Sequence, residues 1–559
     1  MKRLLTIVFA ATLFLGLPLV AVAEIMHWPT EVTYYNPATA YNGITVWSCQ
    51  QAPSSNAWIY MIDMYGRLVH KLKSPTSVQD FPQILENGNI LVPGSYTGQN
   101  GKYFTELTWD GAIAKQLLVT NPQHHDVRKV WNKQLNAYTY MFVSRNTTFT
   151  AAQAAAWGGN PNNGTLVAGD MDGVDEIDMN GNIIWQWKMS DHLCQTTDPA
   201  KPNYVSDTSL APGRLDISVQ WWKGAVISTV PGADWTHFNS FDYNSDLGLV
   251  VMNSRNMNEF WVVDHDGTFV AGNPVTSIAN AASSAGDFKY RFGSPSNYNQ
   301  GGKPVFADNV TTQIWGQHNI QWIRPTMWPA APDGSYAAGP PLPGAGDLLV
   351  FDNHQSNDNP LGGYSRMVEI NPYVSGKSGT SFILSSAYIN PPLAGYTRQN
   401  VSSGNGFGQE NVSNQIVWNF KPAMGNSFVS SHISGVQRLP NGNTLACSGE
   451  QGHFLEVTSA GTIAWEYSNP IDGTTAIAYK YQVNSSQSSN YQVFRANRYA
   501  VTHPGLVNRV QLLANGQILP IVLGETGIGS SLTGQAPCIN VPCVYGSGTN
   551  STGSNKASF

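Results

Sequence analysis

Short runs of alternating apolar and polar residues fill most of this chain, and they recur in pairs. Residues 57–72 (AWIYMIDMYGRLVHKL), 103–114 (YFTELTWDGAIA), 174–187 (VDEIDMNGNIIWQW), 259–270 (EFWVVDHDGTFV) and 454–467 (FLEVTSAGTIAWEY) each read as a strand, a turn and a second strand. The turns include Asp110-Gly111, Asn180-Gly181 and Asp266-Gly267, dipeptides that suit a tight hairpin between alternating strands. Residues 366–370 (RMVEI) and 415–420 (QIVWNF) form one more such unit, divided by a long insertion. A second kind of hairpin follows each first one. It appears at 81–92 (FPQILENGNILV), 237–252 and 432–446, and at 318–324 (HNIQWIR) paired with 346–351 (GDLLVF) across a Pro/Gly-rich loop. Residues 125–143 continue the series.

Two hairpins make four strands, the content of one propeller blade. Six such units fit between residues 58 and 499. Their regular alternation argues against a row of unrelated β-sandwiches, and no long amphipathic helix pattern interrupts it. The expected fold is all-β: a six-bladed β-propeller with a short N-terminal segment and an irregular C-terminal tail.

Composition adds limits. The 559 residues include 53 Gly, 33 Pro, 17 Trp and 24 Tyr, which supply tight turns and large strand side chains. Charged residues are 12% and the net charge is −6, without the basic face that nucleic acid requires. Lys2 and Arg3 precede an apolar run over residues 4–22, and Ala21-Val22-Ala23 fits the small-x-small cleavage rule. Residues 1–23 are expected to be a signal peptide, with a mature chain from Glu24 in the periplasm or outside the cell. No later stretch has the ~20 apolar residues of a membrane span. Residues 24–523 are assigned to the propeller and 524–559 to a Gly/Ser-rich tail. There Cys538 and Cys543 are close enough to close a small disulfide loop in an oxidising compartment. Cys49, Cys194 and Cys447 leave an odd count, and no spacing resembles a zinc site.

The candidate chemistry lies in histidines. His125, His237, His318 and His432 each stand just before the second hairpin of their unit. Equivalent positions in a propeller are related by rotation, so these four point at one place or one ring. The matching positions in the other units are Asp80-Phe81 and Phe494-Arg495. If this phase starts an inner strand, the residues line the mouth of the central channel. Their neighbours differ from unit to unit, which suits a site better than a structural motif; His124 is an alternative to His125. Clustered neutral imidazoles are potential metal ligands. The sequence lacks the carboxylates that complete such a set, apart from Asp126 and Asp352, and the site is read without a metal. Histidines serve equally as nucleophile and proton carrier. Arg366 and Arg495 are cations near inner-strand positions, suited to gripping a sulfate, phosphate or carboxylate. Asn239, Asn319 and Asn353 are neutral donors for the same anion.

At these residues the chain resembles the bacterial PAPS-independent arylsulfotransferases. The matching stretches are 35–47 (YNPATAYNGITVW), 59–69 (IYMIDMYGRLV), His124-His125-Asp126, 234–240 (DWTHFNS), Gln317-His318, Phe351-Asp352-Asn353 and 364–369 (YSRMVE), in order over most of residues 35–500. The resemblance implies a six-bladed propeller that moves a sulfuryl group from an aryl sulfate ester to a phenol. It implies a sulfohistidine and a ping-pong cycle, with no cofactor; a glycine-rich phosphate loop ending in Lys-Ser/Thr is accordingly not found. By resemblance His432 is the nucleophile, His237 and His318 stabilise or protonate, and Arg366 and Asn319 hold the anion. Asn353, His125 and Arg495 are further substrate contacts. The family's Gly and Arg after Phe-Asp-Asn are replaced here by His354-Gln355-Ser356. His354 therefore joins the substrate contacts and marks where substrate choice differs. The separate β-sandwich that pairs subunits in some members is not expected here, and the oligomeric state stays open. Two other classes fit the histidine ring: a propeller lyase or hydrolase acting on an anionic substrate, and an exported propeller that binds a ligand without chemistry.

Overall fold

Most strands of this chain bury both faces, so that polar as well as apolar side chains along them are out of solvent. Val250 and Met252 turn into one cluster of buried side chains while Leu249 and Val251 turn into the next. Ile59 and Met61 are likewise divided from Tyr60 and Ile62. Side chains alternate across a strand, so each strand serves two cores, one on either side of its sheet. The computed structural model describes residues 27–50, 52–75, 80–94, 101–159, 169–219, 234–299, 312–324, 341–353, 364–372, 396–399, 410–413, 415–422, 428–483, 489–507, 509–512, 518–520 and 532–533.

Six antiparallel sheets stand around one axis as a six-bladed β-propeller. Blade 1 runs outward through Asn497–Ala500, Gly43–Ser48, Trp58–Ile62 and Leu68–Lys73, and blade 2 through Gln83–Ile84, Ile90–Pro93, Tyr103–Leu107 and Ile113–Leu118. Blade 3 comprises Gln123–Asn132, Ala137–Phe149, Gly169–Ile177 and Ile183–Lys188. Blade 4 comprises Phe238–Asn244, Leu249–Ser254, Glu259–Asp264 and Tyr290–Phe292. Blade 5 comprises His318–Trp322, Leu348–Asp352, Arg366–Ile370 and Ile416–Phe420. Blade 6 comprises Ser434–Arg438, Thr444–Ser448, His453–Val457 and Ile463–Ser468, with Glu31–Tyr35 added as a fifth, outermost strand.

Each interface between neighbouring blades has its own apolar cluster; Trp47 and Trp465 pack between blades 6 and 1, and Trp185 and Trp261 between blades 3 and 4. A side chain of that kind contributes about 1.5–3 kcal/mol when fully buried. The ring is closed at both ends of the chain. Asn497–Ala500 pairs with Gly43–Ser48 on the axis side of blade 1, and Glu31–Tyr35 pairs with Ile463–Ser468 on the rim of blade 6.

Three expectations change in detail. Each second hairpin belongs to the same blade as the first hairpin that follows it, so blade boundaries shift by two strands. Ile90–Pro93 hydrogen-bonds to Tyr103–Leu107 within blade 2, whereas the link from Lys73 to Gln83 crosses from the rim of one blade to the axis of the next. Asp110-Gly111 and Asn180-Gly181 do turn hairpins, with Gly111 and Gly181 at φ +86° and +93°, a left-handed backbone that glycine takes without strain. Asp266-Gly267 does not. After it the chain forms the helix Pro274–Ala281 before the outer strand Tyr290–Phe292 returns to Phe260 and Val262. Residues 1–23, Cys538, Cys543, His354 and most of the tail lie outside the described residues. Among the described residues no helix is long and apolar enough to cross a membrane.

Candidate active site

The histidines gather where the inner strands begin, and the backbone there is bent out of regular pairing. His125, His237, Asn319 and Ile433 have φ of +68°, +45°, +56° and +45°. A left-handed residue with a side chain costs about 1–3 kcal/mol and persists only where its surroundings enforce it. The ladders slip at the same places, between Gln123 and Val127, Phe238 and Ser240, and His318 and Gln321. Such bulges re-aim side chains at a sheet's edge. The expected single phase is in fact two adjacent positions. His125 and His237 are themselves the left-handed residue, while His318 and His432 immediately precede theirs.

Blades 3 and 4 supply a triad of imidazoles. The ring centres of His124 and His125 are 4.2 Å apart, those of His124 and His237 5.1 Å, and those of His125 and His237 5.2 Å. Each ring has its Nδ1 on a carboxylate: His124 on Asp172 at 2.8 Å, His125 on Asp80 at 3.3 Å, and His237 on Asp234 at 2.6 Å. Arg145 reaches Asp234 at 3.0 Å and the Nε2 of His124 at 3.3 Å. Burial, opposed by Asp234, holds His237 down to about 4, and burial takes His124 well below its ordinary value. Burial together with the Asp234 charge pushes Asp172 up to about 7. Asp234 itself stays well below the usual carboxylate range, because His237, His124 and Arg145 outweigh its burial. At neutral pH His237 is thus an uncharged imidazole whose Nδ1–H donates to Asp234, leaving a lone pair on Nε2.

Blades 5 and 6 hold their histidines differently. His318 donates from Nδ1 to the Gly316 carbonyl at 2.9 Å and Asn353 Oδ1 at 2.8 Å. Its Nε2 accepts the Ile433 amide at 3.2 Å, so both nitrogens are engaged. His432 has Ser431 Oγ at 3.1 Å and Glu450 at 3.9 Å from Nδ1, and its side chain is 40% exposed. No partner meets its Nε2 among the described residues. Burial and then the Arg255 charge push His318 well below its ordinary value. Burial likewise lowers His432, opposed by Glu450 and reinforced by Arg255. Both are neutral imidazoles at pH 7, and of the two only His432 keeps a nitrogen open for attack. Phe494 floors this chamber, stacked on His125 at 5.1 Å and edge-on to His318 at 6.3 Å. Phe494, Phe81 and Ile433 form an apolar plug on the axis.

The structure brings His125, His237 and His318 into one electrostatic neighbourhood, adds His124 to it, and joins His432 to it through Arg255 and the neighbouring Ile433 amide. Asn353 joins them by orienting His318. The other expected partners sit elsewhere. Arg366 opens the third strand of blade 5, further from the axis, where Asp352 takes its Nε at 2.9 Å and the Gln313 carbonyl its Nη2 at 2.7 Å. Asn319 Oδ1 accepts the Val436 amide and so ties blade 5 to blade 6. Arg495 lies against Phe81, 4.0 Å from the ring centre, with Asp126 at 3.3 Å, and lines the channel beyond the plug.

Asp172, Arg145, Arg255 and Glu450 went unread in the sequence; Asp80 was read as a position matching the histidines and Asp234 within the stretch 234–240, neither as a partner of a histidine. For the two arginines a signal was present: Ser144-Arg145-Asn146 and Ser254-Arg255-Asn256 repeat one tripeptide, each serine ending the second strand's pairing with the first. The carboxylates whose scarcity weighed against a metal are also present, brought in from neighbouring blades and strands.

Residues 140–495 match the family model described as Arylsulfotransferase (ASST). The match covers most of the chain, and the chain belongs to the arylsulfotransferase family. It is an enzyme, a PAPS-independent aryl sulfotransferase acting on small molecules. No curated protein matches the sequence. Among solved structures it is similar to a Bacteroides caccae protein of unknown function, at 9% identity over 82% of this chain and 99% of that one, with a TM-score of 0.34. It is similar also to a streptogramin B lyase, at 9% identity over 86% and 96% of the two chains, with a TM-score of 0.33. A putative 6-phosphogluconolactonase from Bacteroides fragilis stands at 10% identity over 84% and 86%, with a TM-score of 0.29.

Proposed function

We propose that the enzyme carries the sulfuryl group from an aryl sulfate ester to a phenolic acceptor through a sulfohistidine on His432, in a ping-pong cycle. The observation that carries this reading is the contrast in nitrogen availability. His432 is neutral and open at Nε2, whereas both nitrogens of His318 are already bonded. In the first half-reaction His432 Nε2 attacks sulfur; the N–S bond forms as the S–O bond to the aryl group breaks. Arg255, beside His318 and His432, offers its charge to the sulfonate oxygens. In the second half-reaction the acceptor's oxygen attacks sulfur, its proton passes to His237 Nε2, and the N–S bond breaks. In the first half-reaction the aryl oxygen leaves as the phenolate and takes its proton from solvent; His237 returns its own proton to solvent before the next turn, and Asp234 holds the ring in the tautomer that leaves Nε2 free.

A chromogenic aryl sulfate, offered with and without phenol, tests the reading. Release of the chromophore only with phenol supports transfer. Release without it makes the protein a sulfatase, and none with several donors makes it a ligand-binding propeller.

We also propose that the protein is exported, on the strength of Lys2, Arg3, the apolar run 4–22 and Ala21-Val22-Ala23. N-terminal sequencing of the cell-derived protein should begin at Glu24; a chain that keeps Met1 contradicts this.

A further inference from the structure

His124, His125 and His237 have a property the transfer reaction does not call for. One ligand atom from each lies within 4.8 Å of the others, in a pocket whose second layer is already built. Imidazoles that bind a metal through one nitrogen nearly always donate the other N–H to a carboxylate, which fixes the tautomer and strengthens the ligand. Here all three do so before any metal arrives, to Asp172, Asp80 and Asp234. Of the three carboxylates, Asp234 pairs with the Arg145 guanidinium and Asp172 lies within its field, whereas Asp80 lies in that of Arg495.

We propose that His124, His125 and His237 form a three-imidazole site for a divalent transition metal of the zinc, nickel or copper class. Three nitrogens with one open position is the ligand set of zinc sites that keep a place for water or substrate, and imidazole favours these metals over magnesium or calcium. At zinc–nitrogen distances of about 2.0–2.1 Å the nitrogens must close to about 3.3 Å apart. Modest rotations about side-chain bonds achieve this. Arg145 must leave the Nε2 of His124; its partners Asp234 and Asp170, at 3.0 and 3.8 Å, are placed to take it. The metal would take the Nε2 that His237 uses in sulfuryl transfer. Bound metal therefore inhibits the enzyme, a consequence that rests on the role given to His237 above.

Equilibrium dialysis of the untagged, chelator-treated full chain against micromolar zinc tests the site, read as metal content per chain with no substrate present. About one zinc per chain is expected, abolished in His124→Ala, with affinity about 10–100-fold weaker in Asp80→Asn. No stoichiometric binding, or binding indifferent to His124→Ala, overturns the proposal. Should that variant fold poorly, copper-loaded wild-type protein decides by electron paramagnetic resonance. Nitrogen superhyperfine splitting from several imidazoles supports the site, and oxygen-only coordination overturns it. Transfer activity is read separately. Zinc that binds one per chain yet leaves transfer unchanged upholds the site and removes His237 from the reaction.

Discussion

The two halves of the histidine chamber are built from the same repeat and held in opposite ways. In blades 3 and 4 each imidazole leans on a carboxylate, and Arg145 ties the set together. In blades 5 and 6 His318 is fixed by carbonyl, amide and backbone groups, and His432 is held loosely beside Glu450 and exposed. The first half is ordered to manage protons and cations. The second presents one open nucleophile next to a fixed, uncharged neighbour. A propeller permits this because each blade brings its inner-strand residue to the same mouth, while the strand behind it chooses the partner. Where that strand gives Asp172 a histidine is paired, and where it gives Asn353 a histidine is merely oriented.

The sharpest way to break the comparison is His432→Ala. With the nucleophile gone, kcat for transfer should fall at least about 10³-fold in steady-state assays with a chromogenic donor, while near-ultraviolet dichroism stays native. Asp234→Asn attacks the other half. Loss of the preferred His237 tautomer should lower kcat by about 10²–10³-fold and leave single-turnover labelling by a donor with a good leaving group largely intact. Arg255→Lys keeps the charge and loses the fork, so a fall of about 10-fold in kcat/KM is expected, concentrated in KM for the donor. The smallest effect is in pH. His237 titrates near 4, and His432 also lies below its ordinary value. His432 must be unprotonated to attack the donor and His237 to take the acceptor's proton, so kcat/KM for either substrate should hold from pH 7 downward and decline only well below 6.5. An acid limb at 6.5 would show that the folded protein leaves these rings unperturbed.

Much of this was legible in the chain. The hairpin alternation gave six blades, since apolar periodicity reports burial directly, and the recurrent histidine gave the axis end of the inner strands. The half-blade shift was not legible, because a hairpin looks the same whichever neighbour it joins. Asp266-Gly267 misled for a local reason: the dipeptide allows a turn, but the chain first runs through the helix Pro274–Ala281, packed against Ile183–Lys188 of blade 3, and only then does Tyr290–Phe292 take the outer-strand place. The partners of the histidines were hidden by distance along the chain. Asp172 stands 48 residues from His124, and Asp80 lies 45 residues from His125 in another blade. Arg366 stood out in the sequence for its type and its place in a motif. Its strand sets it further from the axis, where Asp352 neutralises it. The equivalent first positions of blades 4 and 6, Glu259 and His453, are likewise in buried pairs, with Arg291 and Glu466. That repeat of function, unlike a repeat of residue type, appears only once the blades are superposed in space.

The central claim is that the sulfuryl group rests on one particular nitrogen of one particular residue. Brief incubation with an aryl sulfate and no acceptor, alkaline quenching, and peptide mapping by mass spectrometry would locate it. The account predicts one sulfuryl group per chain, on His432, discharged when phenol is added. A sulfuryl group found on His237 or His318, or a protein that turns over donor and acceptor without ever carrying one, would contradict it.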